Sequence, residues 1–212
     1  MSVETKNATS SSLPREELSK VAFNLPNQLT WARLILAVIM FVAMGLQWYV
    51  TSFVLFVIAA GTDWLDGYFA RKYDQVTTLG RILDPFADKF IICGAFIYLA
   101  AAGILQPGFH GYMPAWVVVV IVGRELLVTA LRGFMEQHGV DFSAKMAGKL
   151  KMVLQCLAAG GCLVVLAILG NQSQVPAWVE WTTKLSVWAA IVLTIYSGLE
   201  YILAVGKGLQ RK

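Results

Sequence analysis

Six apolar runs, each about 20 residues or longer and separated by short breaks, dominate the chain, and a run of that length is what one helix needs to cross a hydrocarbon layer. They lie at Leu29 to Tyr49, Val50 to Tyr73, Gly80 to Gly103, Tyr112 to Gln137, Ala144 to Gly170 and Pro176 to Gly206. With 58% hydrophobic and 14% charged residues, the chain has too little polar surface to cover a water-facing core, since soluble domains carry about 25% charged residues. The expectation is an all-α integral membrane protein of six transmembrane helices in one domain over residues 24–212. Residues 1–13, rich in Ser, Thr and Asn, read as a disordered cytoplasmic tail. Residues 14–23, opening on Pro14 with Leu18, Val21 and Ala22 at helical spacing, read as an N-terminal interfacial helix lying on the membrane surface. The links are so short that helices consecutive in sequence are expected to be antiparallel neighbours in space.

All Lys and Arg except Lys184 fall in the tail, the second-to-third link, the fourth-to-fifth link, the C-terminus, or the span halves nearest these. Both termini are therefore expected in the cytoplasm. The opposite loops carry Trp48, Tyr49, Trp116, Trp178 and Trp181, as an interfacial aromatic belt would. The net charge of +4 is better explained by anionic headgroups than by nucleic acid, because no basic stripe with interleaved aromatics accompanies it. Cys93, Cys156 and Cys162 lie in apolar runs without metal-site spacing and read as small hydrophobes. His110 and His138 lack a partner motif.

Against this background, Asp63 and Asp66 in the second run and Asp84 and Asp88 in the third are out of place. An aspartate at mid-membrane costs about 2.5–3.5 kcal/mol, so four would cost on the order of 10–14 kcal/mol without compensation. Asp63 and Asp66 are three residues apart, Asp84 and Asp88 four, so each pair shares a helix face. All four fall within roughly 6–15 Å of the link joining the two helices, at 1.5 Å rise per residue. A hairpin of the two would bring them together at one depth. Gly67 and Ala70 leave room on that face for a ligand to approach the backbone, and Arg71 can meet an anionic one. Carboxylates without His or Cys suit Mg²⁺ or Mn²⁺, and two ions shared by four carboxylates form a diphosphate clamp. Two other uses fit the same spacing: salt bridges to Arg71, Arg81, Lys89 and Arg124, or a proton relay in a cation-coupled transporter.

Asp63, Asp66, Gly67, Ala70, Arg71, Gly80, Asp84 and Asp88 complete the pattern D-x2-D-G-x2-A-R-x8-G-x3-D-x3-D, and here the chain resembles the CDP-alcohol phosphatidyltransferase family. That resemblance implies that the aspartates hold two divalent ions on the diphosphate of a CDP-activated lipid. It further implies that Asp63, Asp66 and Asp84 are metal ligands, and that Asp88 is both a ligand and the general base. Gly67, Ala70, Arg71, Thr77 and Gly80 would shape the CDP-lipid site. NLPNQLTWARL from Asn24, GRELLVTALRG in the fourth run and AGKLKMVLQ in the fifth look like the phosphatidylglycerophosphate synthase branch. This implies CDP-diacylglycerol as donor and sn-glycerol 3-phosphate as acceptor, a homodimer, and a place in a bacterial inner membrane. Inositol phosphate or serine is the alternative acceptor. Asn27, Thr30 and Arg33 form one stripe that meets the cytidine or its phosphates, or else caps the helix and snorkels. Arg124, Arg132, Lys145 and Lys149 are the expected cations for the acceptor phosphate. Glu125 would neutralise Arg124, and Lys151 would snorkel to headgroups.

Overall fold

The computed structural model describes residues 25–73, 78–137, 146–172 and 174–209. Among them are six long helices: α1 (Leu25–Gly45), α2 (Tyr49–Tyr73), α3 (Thr78–Leu105), α4 (Ala115–Gln137), α5 (Met146–Asn171) and α6 (Ala177–Leu209). A three-residue 3-10 turn, Pro107–Phe109, lies between α3 and α4. The helices follow the six apolar runs closely, because the breakers between the runs end them. The expected tail and interfacial helix lie outside the described residues.

Four helices contain stretches long and apolar enough to cross a membrane: Gln28–Gly45, Leu83–Leu105, Leu150–Asn171 and Ala177–Gly206. The other two, α2 and α4, are 25 and 23 residues long, but charges interrupt them. In α2 these are Asp63, Asp66, Arg71 and Lys72; in α4 they are Arg124, Glu125, Arg132 and Glu136. Thus α2 and α4 depart furthest from a pure hydrocarbon pattern.

The outer surface is aliphatic and aromatic. Ile35, Val38, Ile39 and Val42 of α1, Val119 and Leu126 of α4, and Leu185, Val192 and Leu203 of α6 are all exposed, as lipid-facing positions should be. Inside, small residues let backbones approach. Ala158, Ala159, Cys162 and Leu163 of α5 are fully buried, and a Cβ on Gly161 would fall 2.9 Å from Thr183 Oγ1 of α6. Thus α5 is the spine of the bundle, packing on α6, α2 and α3. At the far end Phe109 and Tyr112 stack at 5.2 Å and close the space above α3 and α5.

Sequential packing holds for α1 with α2 and for α5 with α6, and more sparsely for α2 with α3 and α3 with α4. Among the described residues α4 and α5 approach one another little along their backbones and meet through Glu125 with Lys151 and Gln155; the closer packing is of α1 on α3, α2 on α5 and α4 on α6. Short links fix direction, but each helix chooses as neighbour whichever face buries its small and polar side chains. The α1–α3 pair is parallel: Thr30 meets Asp84, Arg33 meets Asp88, and Phe41 sits over Gly94. Phe41 stacks on Tyr98 at 5.5 Å and meets the edge of Phe90 at 5.4 Å. Since Phe90, Gly94 and Tyr98 are each four residues apart, the ring fills a notch on one face of α3.

Tyr49, expected in the aromatic belt, is instead buried at 9% exposure, whereas Trp48, Trp116, Trp178 and Trp181 are exposed. A Schellman bend turns the chain just before these two neighbours: Trp48 N–H donates to Ala43 O, Gln47 N–H donates to Met44 O, and Gln47 takes φ 61°. Cys93 and Cys156 are part-buried and Cys162 buried, all as free thiols.

A methyl group on Gly94 would overlap the Phe41 ring. Gly94→Ala should therefore lower the thermal midpoint of the detergent-solubilised protein, overpacking costing about 1–3 kcal/mol against about 1 kcal/mol gained in helix propensity. A midpoint equal to wild type would show that the notch yields.

Candidate active site

Two charged clusters lie inside the bundle. The first joins α1 to α3. Thr30 Oγ1 donates to Asp84 Oδ1 at 2.5 Å, and Arg33 Nη1 donates to Asp88 Oδ1 at 3.2 Å. Thr30 is 1% and Arg33 2% exposed, so both donors come from the dry side of the interface, while the Asp88 side chain keeps 30% of its surface. One oxygen of each carboxylate is thus tied to α1, while both residues keep accessible surface. Arg33 does not snorkel: the parallel register places its guanidinium level with Asp88 rather than at the helix end. Between the two aspartates stands Pro85, and its carbonyl accepts from Lys89 Nζ at 3.1 Å.

Asp63, Asp66, Gly67, Ala70 and Arg71 are on the last turns of α2, and Gly80 is in the first turn of α3. Their side-chain positions lie outside the described residues, as do Thr77 and Lys145 altogether and the side chains of Asn27 and Lys149. Among the described side chains no group of three or more His, Cys, Asp or Glu forms; Asp84 and Asp88 are the described half of the acidic set. As a donor set, carboxylate oxygens fit a hard divalent cation.

The second cluster lies between α4, α5 and α6. Glu125, 6% exposed, accepts from Lys151 Nζ, from Gln155 Nε2 at 3.4 Å and from Arg124 Nη1 at 3.3 Å. Arg124 Nη2 donates to Ser197 Oγ at 2.9 Å, and Gln155 Nε2 reaches Thr194 Oγ1 at 3.3 Å. Lys151 is only 5% exposed, so it does not snorkel: Glu125 draws its ammonium inward. Arg132, two turns beyond Arg124 on α4, is half-buried.

Gln155, Thr194 and Ser197 were not identified from sequence. The signal was present: Lys151 and Gln155 are one turn apart in an apolar helix, as Thr194 and Ser197 are, and polar groups in a span have partners. On the far face, Lys184 pairs with Glu180 at 2.6 Å and lies over the Tyr112 ring at 5.1 Å. His110, on the connection between α3 and α4, is exposed, with Nδ1 3.3 Å from Gly103 O.

The CDP-alcohol phosphatidyltransferase family model matches residues 23–196, which include the first cluster and all of the second except Ser197. Similar proteins named CDP-diacylglycerol–glycerol-3-phosphate 3-phosphatidyltransferase occur in several bacteria. That of Bacillus subtilis (strain 168) is 35% identical over 194 residues, covering 84% of this chain and 93% of the relative. That of Haemophilus influenzae is 34% identical, covering 88% and 95%. The Rickettsia bellii protein is 32% identical, covering 89% and 98%. With the complete aspartate motif carried on α2 and α3 and the match running through nearly every described helix, the chain belongs to the CDP-alcohol phosphatidyltransferase family.

Proposed function

We propose that this protein transfers the phosphatidyl group of CDP-diacylglycerol to sn-glycerol 3-phosphate, giving phosphatidylglycerophosphate and CMP. The observation that carries the reading is the presentation of Asp84 and Asp88 on one face of α3, held by α1, within an uninterrupted family motif. The names of the relatives supply the donor and acceptor. In this reading all six helices span the membrane. The cation distribution puts both termini and the acidic site on the cytoplasmic side, in a bacterial inner membrane. The homodimer implied by the family resemblance belongs to the same reading.

Asp63, Asp66, Asp84 and Asp88 would hold two divalent ions, Mg²⁺ or Mn²⁺, whose contribution is to neutralise the diphosphate and the charge developing on the leaving CMP. Gly67, Ala70, Arg71, Thr77 and Gly80, with Asn27, Thr30 and Arg33, would frame the CDP group. Thr30 and Arg33 orient the two α3 carboxylates, each by one fixed hydrogen bond. Asp88 takes the proton of the acceptor's primary hydroxyl as that oxygen bonds to the β-phosphorus and the bond from phosphorus to CMP breaks. Arg124, Arg132, Lys145 and Lys149 bind the acceptor phosphate. Arginine suits this because its planar fork matches phosphate oxygens.

The test is CMP release by the purified protein with CDP-diacylglycerol and Mg²⁺, comparing glycerol 3-phosphate, inositol phosphate, serine and no acceptor. Release only with glycerol 3-phosphate, abolished by a chelator, is expected. Release with a different acceptor would keep the aspartate chemistry and overturn the acceptor; no release with any would favour a transporter. Asp88→Asn should cut turnover by about 10²–10⁴-fold while CDP-lipid binding persists, and wild-type turnover in this variant would remove Asp88 as base. Thr30→Val, nearly equal in volume but unable to donate, should raise the Mg²⁺ needed for half-maximal activity by roughly 10–100-fold. An unchanged requirement would mean that Asp84 needs no anchor.

A further inference from the structure

The basic cluster holds two cations, Arg124 and Lys151, and one carboxylate, Glu125, so it has a net positive charge inside a helical bundle. Lys151 and Gln155 occupy Glu125 from α5, leaving the guanidinium of Arg124 as the variable element. Its fork is fixed at two points: Nη1 on Glu125 and Nη2 on Ser197. Its Nε–H is buried and meets no acceptor among the described residues. The stem is fixed as well. A Cβ on Gly198 would fall 3.2 Å from Arg124 Cγ, closer than an unstrained carbon contact, so the stem lies directly on the α6 backbone where a side chain is missing. Neighbouring residues of α6 therefore perform complementary tasks, Ser197 gripping the head of the side chain and Gly198 admitting its stem.

We propose that Ser197 and Gly198, with Glu125, form a seat that positions Arg124 and thereby sets the affinity for the anionic acceptor. The inference rests on the reading of Arg124 as an acceptor-phosphate ligand and adds three positioning residues to it. A guanidinium binds phosphate well only when two N–H groups point along the same direction, and a free Arg side chain has many rotamers to lose on binding. A pre-set fork avoids that loss. The seat also accounts for a glycine in the middle of a spanning helix, where it costs about 1 kcal/mol in propensity relative to alanine.

Gly198→Ala separates positioning from structure, because alanine strengthens the helix yet displaces the Arg124 stem by a few tenths of an ångström. The experiment uses the full chain in detergent, titrating glycerol 3-phosphate at saturating CDP-diacylglycerol and Mg²⁺, with thermal midpoints measured alongside. In Gly198→Ala the KM for glycerol 3-phosphate should rise about three- to tenfold, as misplacement of a binding group weakens what it holds, with kcat nearly unchanged and the midpoint equal or higher. Ser197→Ala should raise the same KM. In an Arg124→Ala background, Gly198→Ala should cause no further loss in kcat/KM, since both act through one side chain. An unchanged KM in both single variants, or losses that multiply in the double variant, would overturn the seat. If Gly198→Ala lowers the midpoint, Ser197→Ala decides: its KM rising at a wild-type midpoint supports the seat, and its KM unchanged refutes it. Wild-type protein releasing no CMP with glycerol 3-phosphate would instead refute the acceptor reading itself, a failure distinct from a defect confined to the variants.

Discussion

An ionised side chain in a hydrocarbon layer needs a partner, because no water is available to solvate it. That constraint organises this protein. The charges of α3 are met from α1, where Thr30 and Arg33 face Asp84 and Asp88; those of α4 are met from α5 and α6, where Lys151, Gln155 and Ser197 face Glu125 and Arg124. Each cluster draws on helices whose remaining surface is apolar, so satisfying the charge also determines which helices must touch. The outer surface is largely aliphatic, with Ile35, Val42, Leu126 and Leu203 exposed.

Packing then sets the precision with which the partners meet. Phe41 in the Gly94 notch fixes the slide of α1 along the parallel α3, and the Thr30 and Arg33 hydrogen bonds lie three and two turns before it in the same interface. A shift of one helical turn, about 5.4 Å, would leave both carboxylates without their donors. In the same way Gly161, closed against Thr183, brings α5 and α6 near enough for Gln155 to reach Thr194. Small residues at helix contacts are thus part of the site's geometry even where they touch no ligand.

Much of this was legible in the sequence. Apolar runs and their breakers marked the six helices to within a few residues, and the spacing of the aspartates marked the faces on which they sit. What sequence could not supply is which helix answers which charge. Arg33 and Lys151 lie where a long cationic side chain could either turn outward to headgroups or inward to a carboxylate, and composition is the same for both. The choice was made by Asp88, 55 residues away, and by Glu125, 26 residues away. The link between α4 and α5 suggested adjacency, and Glu125 does meet Lys151, yet the closer backbone packing of α4 is on α6, where Ser197 takes the Arg124 guanidinium. Tyr49 shows a finer limit: the left-handed turn at Gln47 has no glycine at its centre to announce it, and that turn decides which aromatic faces out.

The parallel pairing of α1 and α3 also bears on how the chain enters the bilayer. Thr30 and Arg33 emerge during synthesis 54 and 55 residues before Asp84 and Asp88, with α2 between them. Until α3 arrives, the ion pair between Arg33 and Asp88 cannot form. The packing of the first helix, begun on the second, is therefore completed only by the third. A mutation of Asp88 would be felt not only in the chemistry but already in the stability with which the chain's first crossing is held.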